Sequence, residues 1–141
     1  MDAQCFDTTY LSQFNPQQRE AVHAVEGPVL LLAVPGSGKT TVLVARLGYM
    51  LYCAGIPASK ILTMTYTVAA TEEMRRRFAR QFGEEDARRL KFCTINALAL
   101  RIIHYCARQV GRPPFEQLED GAGLLRELYY QVNEEFPVPA W

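Results

Sequence analysis

The segment Ala33-Val-Pro-Gly-Ser-Gly-Lys-Thr40 constrains this chain more than any other. It follows a continuous apolar run, Val29 to Ala33, and precedes a long apolar stretch that begins at Thr40. A glycine-rich turn between a buried strand and a helix is the setting of a phosphate-cradling P-loop. Glycine at 36 and 38 permits positive φ and removes the Cβ that would keep phosphate oxygens off the backbone. The loop amides and the positive end of the helix then face an anion. Pro35, Gly36, Ser37, Gly38, Lys39, Thr40 and Thr41 are therefore the candidate nucleoside triphosphate-binding residues. Lys39 brings a mobile point charge to the β- and γ-phosphates, and the Thr40 hydroxyl is placed to ligate Mg²⁺. The first motif position is Ala33 where glycine is usual.

With 141 residues the chain has room for one domain with a real core. No apolar run approaches the roughly 20 residues of a membrane span, and the N-terminus lacks the basic start and apolar core of a secretory signal. Both point to a cytoplasmic protein with no membrane partner. Cys5, Cys53, Cys93 and Cys106 form no Cys-x-x-Cys pair, and His23 and His104 are isolated, so metal-ligand spacing is absent and partly buried free thiols are expected. Lysine and arginine (15) balance aspartate and glutamate (15), so no global basic signature of nucleic-acid binding exists. Locally, Arg75, Arg76, Arg77, Arg80, Arg88, Arg89, Lys91 and Arg101 make the middle basic, while the chain is acidic from Glu116 onward.

Hydrophobic periodicity organises the rest. Asn15-Pro16 reads as a cap and first turn of a helix running to about Val25. Val29 to Ala33 predicts a strand buried on both faces, and Thr40 to Cys53, apolar almost all round, a helix buried under a sheet. Ile61 to Thr65 predicts a second strand. Ala70, Met74, Phe78 and Phe82 recur every four residues along a helix whose other face carries arginines. Phe92 to Thr94 predicts a third strand. Ile95, Leu98, Ala99, Ile102, Ile103 and Cys106 stripe the next helix, and Leu124, Leu125, Leu128, Tyr129 and Val132 the last. Strands alternating with helices predict an α/β fold with a parallel sheet and flanking helices.

Four segments in register resemble UvrD/Rep/PcrA-type superfamily 1 DNA helicases. Phe14-Asn-Pro-Gln-Gln-Arg-Glu-Ala-Val22 is similar to their Q motif and Leu32-Ala-Val-Pro-Gly-Ser-Gly-Lys-Thr40 to motif I. Ile61-Leu-Thr-Met-Thr-Tyr-Thr-Val-Ala-Ala-Thr-Glu-Glu-Met74 resembles motif Ia, and Cys93-Thr-Ile-Asn-Ala-Leu-Ala-Leu-Arg-Ile-Ile103 resembles motif Ib. The resemblance implies a RecA-like P-loop NTPase fold, with ATP and Mg²⁺ bound at motif I and Lys39 and Thr40 serving the catalytic chemistry. It implies that Gln18 holds the adenine edge, since a side-chain amide offers one donor and one acceptor. The same residue, three after Asn15, could instead close a capping box. Single-stranded or partly duplex DNA would meet Thr65, Tyr66, Thr67, Thr94 and Asn96, with Tyr66 stacking on a base. Core packing for Tyr66, and helix N-caps for Thr67 and Thr94, are the alternative roles. Val68 and Ala69 stand where the family commonly has Asn and Lys, and Asn96 where it has His. A lost lysine removes one phosphate charge.

The family hydrolyses ATP with an Asp-Glu pair after a later strand. Here Glu119-Asp120 has the reverse order and follows no apolar run, and Glu84-Glu85-Asp86 lies between helices. The expectation is an N-terminal piece of a larger helicase: residues 1–111 as part of ATP-binding domain 1A, and residues 112–141 as a helical extension entering domain 1B. Such a piece binds nucleotide weakly, hydrolyses it negligibly, and self-associates through its incomplete sheet. A small-molecule kinase and a non-catalytic ATP-sensing module are the competing readings; no acceptor-site or lid motif favours the kinase.

Overall fold

The computed structural model describes residues 1–113 and 121–133. The acidic Glu116, Glu119, Asp120, Glu134 and Glu135 and the Pro137–Trp141 tail lie outside the described residues. The elements in chain order are α1 (Ala3–Tyr10), α2 (Pro16–His23), α3 (Lys39–Tyr52), a 3-10 turn (Ala58–Lys60), β1 (Leu62–Thr65), α4 (Val68–Phe82), α5 (Glu84–Arg89), β2 (Lys91–Thr94), α6 (Ile95–Gln109) and α7 (Gly121–Asn133). β1 and β2 form a parallel pair in which Leu62 lies opposite Lys91 and Thr65 opposite Thr94. α4 and α5 make the crossover between them. The chain divides into two units, residues 1–100 and the residues from Arg101 on, the division falling inside α6.

Two cores flank α3 in the first unit. Val44, Leu47, Met74, Phe78, Ala87, Leu90 and Phe92 bury one side of it, joining α3 to α4, α5 and β2. Phe6, Leu11, Ala21, Val22, Val42 and Ala45 bury the other, joining it to α1 and α2. The all-round apolar character of α3 thus follows from having helices on two sides. Aromatic rings link the cores: Phe82 lies within 4.8–6.0 Å, centroid to centroid, of Phe6, Tyr10, Tyr52 and Phe78. Beside them the Tyr52 hydroxyl donates to an Asp86 carboxylate, tying α3 to α5. Burial first, and this bond second, push the Tyr52 phenol above its ordinary range.

Three expectations are corrected. Val29 to Ala33 is not a buried strand: the segment is irregular, with Leu30 81% and Leu32 82% exposed. A strand exists only through a ladder, and β1 has its ladder with β2 alone among the described residues. The stripe of α4 is buried at Thr71, Met74 and Phe78, whereas Ala70 is exposed. Thr71 tolerates burial because its hydroxyl donates to the Thr67 carbonyl at 3.0 Å and meets the Thr65 hydroxyl. Cys5 and Cys106 are exposed and Cys93 is buried, so partial burial holds only for Cys53. In α6, Ile95, Ile102 and Ile103 are about half exposed, and α7 buries no residue. No helix among the described residues is long and apolar enough to cross a membrane.

Candidate nucleotide and nucleic-acid site

The sequence fixes the loop-to-helix junction by two local devices. Gly36 and Gly38 take φ of +80° and +82°, a conformation strained for any L side chain. Gly38 is the N-cap of α3 and offers no side chain to the first-turn amides, so these donors are open to an external acceptor. Nothing lies within 4 Å of the Cβ position of Gly36. The Ser37 hydroxyl is buried without a hydrogen-bond partner. Lys39, the first helical residue, donates from Nζ to the carbonyls of Val34 at 2.8 Å and Ala33 at 3.1 Å. Open amides, an orphaned hydroxyl and an ammonium converge on one helix N-terminus, an arrangement that fits a phosphate group. Thr40 is half-buried and Thr41 exposed on the same turn.

Gln18 performs two jobs at once. Its backbone N–H donates to the Asn15 side chain at 2.8 Å and its Oε1 accepts from the Asn15 N–H at 3.0 Å, a complete capping box. Its Nε2 also donates to the Ser37 carbonyl at 3.1 Å, bringing α2 against the loop. Gln18, Asn15, Leu31, Ser37 and Lys39 line a cleft of about 250 Å³. Gln18→Glu keeps an acceptor for the Asn15 N–H but loses the amide donor. Thermal stability is expected to stay near the parent value, while any preference for ATP over GTP falls about fivefold, the worth of one hydrogen bond. Competition of the two nucleotides for the purified chain measures this; an unchanged preference would confine Gln18 to capping.

On the other flank of the α3 start, Thr41, Glu73, Arg77, Arg80 and Gln81 line a polar cleft of about 550 Å³. Arg77 Nε donates to Glu73 at 2.7 Å, and this bond is the main cause that holds the Glu73 carboxyl below its usual range. Sequence reasoning placed these arginines only on a solvated helix face. The signal available was spacing: 73, 77, 80 and 81 share one side of α4.

The second group of candidates gathers at the carboxyl ends of β1 and β2, the usual ligand side of an open parallel sheet. The strand register puts Thr65 beside Thr94. Tyr66, next in the chain, is 87% exposed, which removes its core alternative. Thr67 caps α4, its hydroxyl accepting from the Ala70 N–H at 3.1 Å, and Thr94 caps α6 by accepting from Ala97 N–H at 3.1 Å. Thr65 donates to the Thr67 carbonyl at 3.0 Å. The three threonines therefore shape the strand ends, while Tyr66 and Asn96 are presented outward.

These features define an α/β domain with an uncapped glycine loop at the start of α3 and an exposed aromatic at adjoining strand ends. The chain belongs to the UvrD/REP helicase N-terminal domain family, whose model matches residues 14–137. It is 39% identical over 101 residues to the ATP-dependent DNA helicase UvrD1 of Mycobacterium leprae, covering 72% of this chain and 13% of that protein. It is 38% identical over 126 residues to the ATP-dependent DNA helicase Rep of Escherichia coli, covering 87% and 19%. It is 42% identical over 93 residues to the putative ATP-dependent DNA helicase YjcD of Bacillus subtilis, covering 64% and 12%. The chain spans only 12% to 19% of the length of these relatives.

Proposed function

We propose that this chain is the ATP-binding N-terminal part of a superfamily 1 DNA helicase, in which ATP binding and hydrolysis drive translocation on DNA and its unwinding. The observation that carries this reading is the α3 N-terminus, where uncapped amides, Lys39 and the buried Ser37 hydroxyl converge. It is a RecA-like P-loop NTPase site. Pro35 to Gly38 and the amides of Lys39, Thr40 and Thr41 take the phosphates, the Lys39 ammonium leaves the Ala33 and Val34 carbonyls for the β- and γ-oxygens, and the Thr40 hydroxyl serves Mg²⁺. Mg²⁺ supplies charge neutralisation when bound. Gln18 reads adenine from the neighbouring helix. Residues 1–111 belong to domain 1A and residues 112–141 extend toward domain 1B. The protein works in the cytoplasm, and the chain self-associates through its incomplete sheet.

Thr65, Tyr66, Thr67, Thr94 and Asn96 form the DNA-facing edge. Tyr66 stacks on a base, and the threonines and Asn96 give polar contacts to the backbone. Tyr66→Ala is expected to weaken single-stranded DNA binding by about 5- to 150-fold, the loss of one base stack. Nucleotide affinity should not change. Fluorescence anisotropy with labelled oligonucleotide measures this in the protein that carries the chain. DNA affinity unchanged by Tyr66→Ala would remove the stacking role, and failure of the chain to bind ATP with Mg²⁺ would remove the nucleotide reading.

A further inference from the structure

The polar cleft beside the start of α3 is walled by two helices: Thr41 and Val44 come from α3, and Glu73, Arg77, Arg80 and Gln81 from α4. Thr41 follows the cap residue Gly38 by three, the spacing at which an N-cap and a first-turn residue are neighbours. Gln18 stands against that cap, its Nε2 lying 3.5 Å from where a Cβ on Gly38 would be. The Gln18 amide on α2 and the cleft on α4 therefore border the same helix turn.

One guanidinium in the cleft is held in place. Arg77 Nε donates to Glu73 Oε1 at 2.7 Å, while Arg76 donates to the other oxygen, Oε2, at 2.8 Å. Pairing through Nε orients the Arg77 plane and leaves its two terminal nitrogens without a bond among the described residues. The side chain is 46% exposed. An ion pair so open to water adds little stability, so orientation is its main effect. Arg80 lines the same cleft but has no ion-pair partner among the described residues. Val44, buried against α4, gives the cleft an apolar surface. An oriented flat cation with an apolar neighbour suits the face of an aromatic ring, whereas a phosphate is served by a compact charge as well.

We propose that Arg77 stacks on the base of the bound nucleoside triphosphate, with Glu73 positioning its guanidinium. A nucleotide seated by its phosphates on the α3 turn then meets α2 through Gln18 and α4 through Arg77. Gln18 reads the base edge, which differs between purines, and Arg77 covers the face, which does not. The stack adds affinity without selecting among bases. This rests on the nucleotide reading of the α3 start and extends it to α4.

The test titrates the full 141-residue chain calorimetrically with three probes in Mg²⁺: ATP, GTP and inorganic tripolyphosphate, which has no base. Arg77→Ala is expected to raise the dissociation constants of ATP and GTP alike by about 3- to 30-fold, the worth of one cation–π contact, and to leave tripolyphosphate within about twofold. Arg77→Lys keeps the charge and loses the plane, so it should recover only part of the loss. Arg80→Ala removes an equal charge that is not oriented, and should change each constant less than about twofold because exposed charges are screened. Glu73→Gln should weaken ATP and GTP but not tripolyphosphate, a pattern that general loosening of α4 would not give. Circular dichroism checks that each variant is folded. An equal loss of tripolyphosphate, full rescue by lysine, or an equal effect of Arg80→Ala would make Arg77 a point charge and overturn the stack. ATP and GTP affinities unchanged in Arg77→Ala overturn it too, and a loss of single-stranded DNA affinity in that variant would then assign the arginine to DNA. Glu73→Gln that binds ATP as wild type does overturns the positioning role. A wild-type chain that binds neither ATP nor tripolyphosphate overturns the nucleotide reading together with this one.

Discussion

Lys39→Ala is expected to lower ATP affinity about 10- to 100-fold, the worth of a charge-assisted hydrogen bond to phosphate. The expectation rests on where the ammonium is held. It lies on the carbonyls of Ala33 and Val34, at the mouth of a helix start whose amides have no side-chain cap. A cation and a helix N-terminus repel one another, and an anion placed between them turns both terms favourable. Because Lys39 also straps the loop, its removal could act through loop geometry. Lys39→Arg separates the two effects: it keeps a cation able to donate to the same carbonyls but presents a planar fork instead of a compact ammonium. Calorimetric titration with ATP and Mg²⁺ measures each variant. An alanine variant that binds as wild type does would leave the phosphate-binding reading without its central residue.

Gly48→Ala is expected to destabilise the first unit by about 2 kcal/mol, within the range for overpacked cores. A Cβ at Gly48 would lie 2.2 Å from the Phe82 ring, closer than any real contact. A ring at a surface would swing away, but this one is hemmed by Phe6, Tyr10, Tyr52 and Phe78. Alanine's better helix propensity returns about 1 kcal/mol at most, so the clash decides the sign. Thermal unfolding reads the loss as a fall in midpoint, and Phe82→Leu in the Gly48→Ala background should recover part of it. A Gly48→Ala chain as stable as wild type would show that the rings repack freely.

Much of this was legible in the sequence because it is local. Asn15, Pro16 and Gln18 spell a capping box, and the structure contains one. The four-residue period at Met74 and Phe78 marks the buried face of α4, and the short β-prone runs at 61–65 and 92–94 become, within a residue, the parallel pair Leu62–Thr65 and Lys91–Thr94. The glycines at 36 and 38 take the positive φ that the motif requires. What escaped depends on distant partners. The apolar run at 29–33 has strand composition, but a ladder is a property of two segments, and composition describes one. α1 was missed because its eight residues bury only Phe6. Its Thr8 and Thr9 hydroxyls also turn back to the Gln4 and Cys5 carbonyls, a habit that weakens helix propensity. Packing against α3 overrides that. Tyr66 shows the reverse case: nothing local separates a core aromatic from a presented one, and only its place beyond the end of β1 decides.

α3 has one more consequence. Its fourteen residues make a rod about 21 Å long, with the uncapped glycine turn at one end and the Gly48, Tyr49 and Tyr52 ring contacts at the other. α1, α2 and α4 all rest on that rod. A helix is stiff along its axis, so a displacement of its first turn is conveyed to the far end, where the Tyr52 hydroxyl grips Asp86 of α5. The helix that begins at the glycine loop is thus also the axle on which the helices of the unit are mounted.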